Sequence, residues 1–371
     1  MAAVMAAEAE EAHMRAALGL ARRGLGVTWP NPSVGCVLVR EGRVVGRGAT
    51  APGGRPHAET VALAMAGEAA RGATAYVSLE PCSHHGATPP CTEALIAAGV
   101  ARVVAAVRDP DPRVDGAGLA GLRAAGIAVE EGLLAAEAEE VTAGFLSRVR
   151  NGRPTLTLKL AATLDGRIAT HAGESRWITG AEARRAAHAL RGRHDAVLVG
   201  IGTALSDDPE LTCRLAGYRT RPLVRIVADS GLRLPLTAKL VATAGKTPSW
   251  ILHRAGADPI RAAALQGLGV RLFALPAASV GVDLAAGLAA LGAAGLTSVL
   301  AEGGGGLAAG LVRADLVDRL AWFHAPSLLG ADGWPAAAAL GIEGLATMPR
   351  FRRVRSIAVG EDMMTEFSRA H

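Results

Sequence analysis

The stretch His57-Ala58-Glu59, followed by Pro81-Cys82 and Pro90-Cys91, determines how the first part of this 371-residue chain is interpreted. It provides one imidazole, two thiols and one carboxylate. A zinc deaminase requires three protein ligands that leave a coordination position for water, and a Glu outside the ligand set that moves the proton of that water. His57, Cys82 and Cys91 are therefore the predicted ligands of one zinc ion per protomer, and Glu59 is the predicted catalytic acid and base.

The residues around this set predict two short helices and a strand. The expected elements are a helix over 58–70, a strand over 73–79 and a helix over 92–98. His57 and Cys91 would then lie at two helix N-termini, whose partial positive charge favours thiolate over thiol. Glu59 follows His57 by two residues, a spacing that does not suit a second ligand on the same helix face.

The spacing of the two cysteines departs from the general deaminase signature. Eight residues, SHHGATPP, separate Cys82 from Cys91, whereas the general signature has two. A structural zinc site and a disulfide between Cys82 and Cys91 are the alternatives. A structural site is disfavoured because it normally has four protein ligands, only three are apparent, and Glu59 would have no purpose there.

Charge and aromatic content argue against a nucleic-acid partner. The formal net charge is +5, but the arginines are scattered along the chain and aromatic residues make up only 3% of it. A stacking platform for bases is therefore poorly supported, whereas a phosphorylated small substrate and a dinucleotide would use the same positive charge. The bias toward Ala and Arg is also compatible with a GC-rich genome alone.

Cysteine use and hydropathy predict a cytoplasmic protein. Of the four cysteines, Cys36 and Cys213 show no disulfide-framework spacing, which favours a reducing compartment. The N-terminal stretch MAAVMAAEAEEAHMR is acidic and does not resemble a secretory signal. The range 284–301 is uncharged, but glycines interrupt it, so a helix, a turn and a strand are predicted there instead of a membrane span.

Alternating short strands and helices predict an α/β fold for the whole chain. The turn-prone Asn151-Gly152-Arg153-Pro154 separates a domain over 1–150 from a domain over 151–371. Before this boundary the pattern predicts strands over 103–107 and 127–129 and helices over 119–125 and 134–149. After it, strands are predicted over 155–162, 196–200, 223–228, 250–253, 270–275 and 298–301, helices over 181–191 and 307–313, and a last strand over 320–324.

Four successive glycines, 303–306, lie between a predicted strand and a predicted helix. Glycines at such a junction let backbone amides approach a phosphate at the helix N-terminus, which would explain Gly304, Gly305 and Gly306 as residues of a nucleotide site. The run lacks both the Rossmann fingerprint and the Lys-Ser/Thr of a P-loop. From the residues alone, a plain loop is therefore the alternative.

Several longer motifs occur in order along the chain. They are PNPSVG at 30–35, PCSHHGATPPC at 81–91, LKLAATLDGRIA at 158–169, GESRWITG at 173–180, GIGTALSDDPELTCR at 200–214, VADS at 227–230 and the glycine run after Glu302. Together they resemble the bifunctional deaminase/reductase family of riboflavin biosynthesis, over nearly the whole chain.

The resemblance implies two activities and two folds. An N-terminal cytidine-deaminase-like, three-layer α/β domain would use zinc to deaminate 2,5-diamino-6-(ribosylamino)-4(3H)-pyrimidinone 5′-phosphate hydrolytically at C2. Glu59 would take the water proton, protonate the ring nitrogen and then hand a proton to the departing ammonia. A C-terminal dihydrofolate-reductase-like α/β domain would use NADPH to reduce the ribosyl group at C1′, giving 5-amino-6-(ribitylamino)uracil 5′-phosphate.

The resemblance also places individual residues in the two sites. Asn31 falls at the position that orients the deaminase substrate, although a turn-forming role would explain it equally well. The reductase substrate positions are Lys159, Ser175, Arg191, Leu211, Arg214 and Glu302, of which Arg191 and Arg214 would clamp the 5′-phosphate. The cofactor positions are Ala161, Trp177, Thr203, Asp207, Ser230, Gly304, Gly305, Gly306, Leu307, Ala308, Ala309 and Gly310. Taken singly, Trp177 could be a core or interface aromatic and Arg191 a solvated helix end.

Three residues depart from the family pattern near the deaminase pocket. Ala87 replaces the Lys or Arg common between SHHG and TPPC, Thr50 stands where many relatives carry His, and Ala117 lies where GKG or GRG is usual. Each departure removes a polar or cationic side chain. The affinity for the deaminase substrate is therefore harder to predict than the chemistry.

Two rival functions remain open at this level. One is a nucleic-acid or free-nucleoside deaminase with an unrelated tail, against which the motifs after residue 158 argue. The other is a regulatory binding module with vestigial sites, against which the complete ligand sets argue. The expected partner is a small phosphorylated pyrimidine, with no nucleic acid and no membrane, in a homo-oligomer that would be a dimer or tetramer.

Overall fold

The computed structural model describes residues 2–86, 88–278 and 280–370 and divides into two compact units, Met1–Gly152 and Arg153–His371. The division falls inside the turn-prone tetrapeptide 151–154. Both units combine helices with mixed sheets, so the α/β prediction is confirmed. None of the helices in the described ranges has the length and apolar character needed to cross a membrane.

The first unit is built on a five-stranded sheet in the order β2-β1-β3-β4-β5. Its strands are β1 (Gly35–Arg40), β2 (Arg43–Ala49), β3 (Thr74–Val77), β4 (Arg102–Ala105) and β5 (Ala128–Glu131). Its helices are α1 (Ala2–Arg23), α2 (Ala58–Ala66), α3 (Cys91–Ala97), α4 (Ala117–Ala124) and α5 (Ala135–Asn151). The hairpin β1–β2 and the β1–β3 pair are antiparallel, whereas β3, β4 and β5 are parallel.

Two glycines of β2 bring helix α2 close to the sheet. A Cβ atom at Gly48 would lie 2.2 Å from the Ala58 carbonyl oxygen, and a Cβ at Gly46 would lie 2.3 Å from the Ala62 carbonyl oxygen. Only glycine permits this approach, because any side chain would collide with the helix backbone. The start of α2, where His57 and Glu59 lie, is therefore held directly against β2.

The second unit has a nine-stranded sheet in the order β11-β10-β9-β8-β12-β6-β13-β16-β15 and a small β14–β7 pair. The strands are β6 (Thr155–Thr163), β7 (Arg167–Ala169), β8 (Ala196–Gly200), β9 (Val224–Ala228), β10 (Ser249–Arg254), β11 (Arg271–Leu275), β12 (Ser298–Ala301), β13 (Arg319–Ala325), β14 (Trp334–Pro335), β15 (Phe351–Val359) and β16 (Asp362–Arg369). The helices are α6 (Ala181–Gly192), α7 (Ile201–Asp207), α8 (Lys239–Ala242), α9 (Pro259–Gly267), α10 (Leu284–Ala293) and α11 (Gly305–Arg313).

Strand β6 and strands β8 to β13 all run parallel to one another, so their carboxyl ends lie along one edge of the sheet. The loops that carry Ser230, Glu302 and the glycine run all begin at this edge. Ligand sites of open α/β sheets are built at such an edge.

The predicted elements are mostly present, with some differences at their ends. The range 284–301 forms a helix, a turn and a strand, as expected. The helix predicted over 58–70 ends at Ala66 and continues as a 3-10 turn over 67–70, and the helix predicted from Leu307 begins at Gly305. The expectation that the strand at 320–324 is the last one is wrong. Strands β14 to β16 follow it. Strand β16 pairs with β13, and the mostly exposed β15 pairs with β16 at the edge of the sheet.

Candidate active sites

The three predicted zinc ligands converge in the first unit. His57 immediately precedes α2, Cys91 is the first residue of α3, and Cys82 lies in the loop after β3. The His57 Nδ1 atom is 3.6 Å from the Cys82 Sγ and 3.3 Å from the Cys91 Sγ, and all three ligand atoms lie within 4.8 Å of one another. Zinc bonds of about 2.0 Å to nitrogen and about 2.3 Å to sulfur at tetrahedral angles would separate these atoms by about 3.5 Å.

The donor set therefore fits one zinc ion with a coordination position left for water. Within the described ranges, His57, Cys82 and Cys91 are the one group of His, Cys, Asp or Glu side chains that could hold a metal. All four cysteines are free thiols, which contradicts the Cys82–Cys91 disulfide alternative. The imidazole of His57 makes no hydrogen bond that caps α2, so it remains available as a ligand.

The pKa values of the two thiols are shifted in opposite directions. The pKa of Cys82 is lowered, chiefly by a hydrogen bond from the Cys91 thiol. Burial opposes this shift, whereas hydrogen bonds from His57 and from the Cys91 backbone N–H add to it. The hydrogen bond with Cys82 and burial raise the pKa of Cys91. The N–H of Cys91 lies 3.3 Å from the Cys82 Sγ, as expected where a helix N-terminus faces a thiolate.

Glu59 lies beside this cluster without belonging to it. It is the second residue of α2 and only 3% exposed. Burial, followed by the nearby charge of Cys82, raises the pKa of Glu59 to about 7. Cys36 on β1 is fully buried near Glu59, so its predicted packing role is consistent with the structure.

His57, Glu59 and Cys82 line a cleft that opens to solvent. Asn31 lies in the same cleft, and its side-chain N–H donates to the Gly54 carbonyl oxygen at 2.8 Å. A Cβ at Gly54 would lie 2.7 Å from the Asn31 side chain, so the glycine makes room for the amide. The structure thus brings together all five deaminase residues that the sequence predicted, Asn31, His57, Glu59, Cys82 and Cys91.

The structure describes two of the three residues that depart from the family pattern. Thr50 also lines the cleft, but its buried hydroxyl accepts the Val34 N–H at 3.0 Å and stabilises the strand end. Ala117 is the first residue of α4. Ala87 lies outside the described residues.

Charged side chains in this cleft escaped the sequence analysis. They are Arg55, Glu80, Asp109, Asp111, Arg113 and Arg148, together with the imidazole of His84. The signal for some of them was present, because DPDPR at 109–113 lies in the loop after β4 and the end of a parallel strand is a usual place for such residues. The others come from segments whose proximity depends on tertiary packing.

In the second unit, three predicted substrate residues form one buried cluster. The guanidinium of Arg191 on α6 donates to both carboxylate oxygens of Glu302, at 2.7 and 2.9 Å, and to the Thr212 carbonyl oxygen at 3.1 Å. Although burial raises the pKa of Glu302, the charges of Arg191 and Lys159 outweigh it and lower that pKa to about 2. Burial lowers the pKa of Lys159, whose ammonium lies 5.6 Å from the centre of the Phe323 ring. Arg191 is thus held by Glu302.

Arg214 and Leu211 lie on the segment beside this cluster. The Arg214 side chain is exposed and approaches Glu210 at 3.5 Å, and its backbone N–H donates to His188 Nδ1 at 3.3 Å. Leu211 is buried with a positive φ of 51°. His188 was not among the predicted site residues, although it precedes Arg191 by three residues on α6 and so shares its helix face. Ser175 is exposed and lies in the irregular segment before α6.

The glycine run begins beside Thr203, at the carboxyl ends of the neighbouring strands β8 and β12. A Cβ at Gly303 would lie 3.1 Å from the Thr203 hydroxyl, whereas a Cβ at Gly304 or Gly306 would have nothing within 4 Å. This open space in front of the first turn of α11 can accept a phosphate group of NADPH, because the first N–H groups of a helix have no partner inside it.

Gly305 has a different reason to be glycine. A Cβ at Gly305 would lie 2.6 Å from the Pro335 carbonyl oxygen and 3.1 Å from the Ala338 nitrogen. The close backbone approach expected between Gly305 and a cofactor phosphate is therefore made by the chain itself. Ala308 and Ala309, further along α11, are buried. A Cβ at Gly310 would lie 3.1 Å from the Leu284 side chain of α10.

The remaining cofactor positions lie at several places in the second unit. Ala161 shares a face of β6 with Lys159, Ser230 follows β9, and Leu307 lies in the first turn of α11. Trp177 is 69% exposed, which contradicts a core role, and the Arg184 guanidinium stacks 4.5 Å from its ring centre. Asp207 at the end of α7 approaches Arg176 at 3.5 Å.

The fold and the two sites define a class of protein: a zinc-dependent deaminase domain joined in one chain to a reductase domain. Two family models match accordingly. The cytidine and deoxycytidylate deaminase zinc-binding region covers residues 7–107, and the RibD C-terminal domain covers residues 154–365. The chain belongs to the RibD family of riboflavin biosynthesis proteins.

The similarity to individual relatives extends over the full length. The chain is 45% identical to the riboflavin biosynthesis protein RibD of Escherichia coli (strain K12), over 95% of this chain and 98% of that protein. It is 40% identical to RibD of Aquifex aeolicus, over 98% and 100% respectively. A solved structure of Acinetobacter baumannii RibD superposes with a TM-score of 0.87 at 36% identity, covering 98% of this chain and 99% of that chain.

A second solved structure carries both activities in its description. It is the diaminohydroxyphosphoribosylaminopyrimidine deaminase/5-amino-6-(5-phosphoribosylamino)uracil reductase of Thermotoga maritima, with a TM-score of 0.85 and 33% identity over 98% of this chain and 99% of that chain. These findings confirm the predicted family, the two folds, the bifunctional deaminase/reductase activity in riboflavin biosynthesis, and the use of zinc and NADPH. The match of the RibD C-terminal domain to residues 154–365 excludes the unrelated-tail alternative.

Proposed function

We propose that residues 1–150 deaminate 2,5-diamino-6-(ribosylamino)-4(3H)-pyrimidinone 5′-phosphate and that residues 151–371 reduce the ribosyl group of the product to ribityl. One observation carries the first half of this proposal. Three ligand atoms, from His57, Cys82 and Cys91, lie within 4.8 Å of one another beside a buried Glu59 that is free of the ligand set. A structural zinc site would have no use for that carboxylate.

His57, Cys82 and Cys91 hold the zinc, which when bound supplies the Lewis acidity that makes water a nucleophile near neutral pH. Glu59 would take one proton of the attacking water and transfer it to the ring nitrogen. It would then take the proton of the new C2 hydroxyl, as the C2 carbonyl forms and the bond from C2 to the exocyclic nitrogen breaks, and give that proton to the departing ammonia. Asn31, fixed by its hydrogen bond to Gly54, orients the pyrimidine with its remaining amide donor and acceptor.

In the second half, NADPH supplies a hydride to C1′ of the ribosyl group. The substrate residues are Lys159, Ser175, Arg191, Leu211, Arg214 and Glu302. Since Arg191 is engaged by Glu302, its role is to hold that carboxylate and the Thr212 carbonyl in place, while Arg214 provides the exposed charge for the phosphate.

The cofactor residues are Ala161, Trp177, Thr203, Asp207, Ser230, Gly304, Gly305, Gly306, Leu307, Ala308, Ala309 and Gly310. Support is strongest for Gly304 and Gly306, where a Cβ would have nothing within 4 Å, and for Thr203, whose hydroxyl lies beside Gly303. Gly305, Ala308, Ala309 and Gly310 would act by keeping the first turn of this helix in position.

The chain carries four free thiols, which supports a cytoplasmic location, and a homodimer or homotetramer is the expected assembly. Light scattering of the purified chain tests the assembly.

The test of the proposed function separates the two reactions. The purified chain is given the phosphorylated diaminopyrimidinone without NADPH, and ammonia is measured; NADPH is then added, and its oxidation and the ribityl product are followed. Glu59→Gln should slow ammonia release by roughly 10²–10⁴-fold, while reduction of substrate that is already deaminated continues. Glu68→Gln, an exposed glutamate of the same unit, is the matched control and should change neither. Equal loss of both activities in Glu59→Gln would contradict the assignment of two sites.

A further inference from the structure

The mouth of the deaminase cleft contains an arginine that neither the motifs nor the relatives' descriptions assign. We propose that Arg55 binds the 5′-phosphate of the deaminase substrate. This inference rests on the proposed function, because it names the group that recognises one part of that substrate.

Arg55 is positioned to reach over the cleft. It follows the 3-10 turn Pro52–Gly54 and precedes the zinc ligand His57 by two residues. One terminal guanidinium nitrogen donates to the Thr88 hydroxyl at 2.5 Å. A Cβ at Gly86 would lie 3.2 Å from the other terminal nitrogen. The guanidinium therefore lies against the loop that joins Cys82 to Cys91, at the edge of the metal site.

The charge of Arg55 is not neutralised by the surrounding protein. Among residues 2–86, 88–278 and 280–370, no carboxylate lies within ion-pair distance of Arg55, and its nitrogens make no second hydrogen bond. The other two arginines of the cleft are engaged. Arg113 donates to both oxygens of Asp111, at 2.9 and 2.6 Å, and Arg148 donates to the Pro30 carbonyl oxygen at 3.0 Å. Arg55 thus offers the cleft a charged donor fork that lacks an acidic partner.

A phosphate monoester is the group that suits this donor fork. The cleft is also lined by Glu59, Asp109 and Asp111, so a dianionic substrate needs a compensating cation at its entrance. A guanidinium presents parallel N–H donors that match two phosphate oxygens. The residues at 87 and 117, where the family pattern has a cation, are both alanine in this chain. Arg55 places a positive charge beside Gly86 and Thr88, the neighbours of one of those positions.

The experiment compares two substrates in the full zinc-loaded chain. Ammonia release without NADPH is measured for the phosphorylated diaminopyrimidinone and for its 5′-dephosphorylated analogue. Arg55→Gln should lower kcat/KM for the phosphorylated substrate by roughly 10- to 100-fold, mainly through KM, because a hydrogen bond between charged groups is lost. The value for the dephosphorylated analogue should stay within about twofold of wild type, because the group that Arg55 contacts is absent from it.

Two further variants make the result specific. Arg55→Lys keeps the charge and should restore part of the lost kcat/KM. Arg43→Gln removes an exposed arginine at the start of β2 and should leave both substrates unaffected. Zinc content and thermal stability, measured for each variant, show whether the loop and the metal site remain intact.

The possible outcomes distinguish this proposal from the proposed function. An equal loss of kcat/KM on both substrates in Arg55→Gln would mean that Arg55 only supports the loop at Thr88, and no loss on either would also overturn the proposal. If wild-type protein releases no ammonia from either substrate, the proposed function itself fails and this inference falls with it.

Discussion

The carboxylate of Glu80 accepts the backbone N–H of Gly118 at 3.0 Å across 38 residues of sequence. The same buried carboxylate also accepts the N–H groups of Asp109 at 3.2 Å, Gly116 at 3.0 Å and Leu119 at 3.3 Å. A Cβ at Gly118 would lie 2.3 Å from the Pro81 carbonyl oxygen. Through these hydrogen bonds, Glu80 connects the loop that contains Asp109 and Asp111 to the segment that contains the zinc ligand Cys82.

Replacing this carboxylate should destabilise the first unit. Glu80→Gln exchanges one acceptor oxygen for an NH₂ group that faces backbone donors, and loss of a buried charged hydrogen bond costs roughly 1.5–3 kcal/mol. We expect a lower thermal midpoint in calorimetry and a higher KM for ammonia release, with NADPH-dependent reduction unchanged. The exposed Glu68→Gln is the control. An unaltered midpoint in Glu80→Gln would show that these hydrogen bonds do not stabilise the loop.

Zinc removal should abolish one activity and spare the other. Elemental analysis should find one zinc per chain, and X-ray absorption should find sulfur at about 2.3 Å. Dialysis against a chelator should stop ammonia release, and added Zn²⁺ should restore it, while reduction of deaminated substrate continues. Cys82→Ser and Cys91→Ser should lose the metal. Cys213→Ser, a thiol of the second unit, should retain it. A full metal complement in Cys82→Ser would remove that residue from the ligand set.

Two adjacent glycines should respond differently to a side chain. Gly304 has an extended backbone with φ −77° and open space around its Cβ position, so Gly304→Val should fold normally and raise the KM for NADPH. Gly305→Ala should lower the thermal midpoint, because its Cβ would lie 2.6 Å from the Pro335 carbonyl oxygen. Gly245→Ala, at a position with open space, is the control. An unchanged KM in a folded Gly304→Val protein would place the cofactor elsewhere.

The Arg191–Glu302 pair should show strong energetic coupling. Arg191→Met leaves the buried Glu302 carboxylate without its main partner, a change that typically costs about 3–5 kcal/mol. Arg191→Met combined with Glu302→Met should recover part of that stability, since the Glu302 carboxylate is then no longer left unpaired, whereas Lys159 loses its acidic neighbour. Calorimetry of the two single variants and the double variant measures the coupling. Additive effects would show that the two side chains do not stabilise each other.

The same pair should contribute to acid sensitivity. The pKa of Glu302 in the fold is about 2, below its ordinary value of 4.5. Between these two values the Glu302 carboxylate is protonated in the unfolded chain but not in the folded chain. The stabilisation that the lowered pKa gives the fold is therefore present above pH 4.5 and lost as the pH falls toward 2. Thermal midpoints measured between pH 7 and pH 3 should fall more steeply for wild type than for the Arg191→Met/Glu302→Met variant. Parallel curves would exclude this contribution.

The zinc ligands, Glu59 and the α/β order could be predicted from the sequence because their signals are local. Ligand type and spacing around His57 and Cys82 define the metal chemistry, and periodicity within ten or so residues indicates many of the helices and strands. Strand β15 was missed because it is an edge strand whose nine residues are mostly exposed, so it lacks the buried apolar pattern that marks an inner strand.

Tertiary structure alone decided which distant residues meet. The backbone approach at Gly305 is made by Pro335 instead of a cofactor, and Arg191 is engaged by Glu302 before any phosphate can reach it. Arg55 lies against Thr88, and Glu80 holds Gly118, because the order of strands and the packing of α2 and α4 bring these segments together. Composition and residue spacing do not predict such contacts. The distances between these residues depend on sheet order and register, which form only when the whole core is packed.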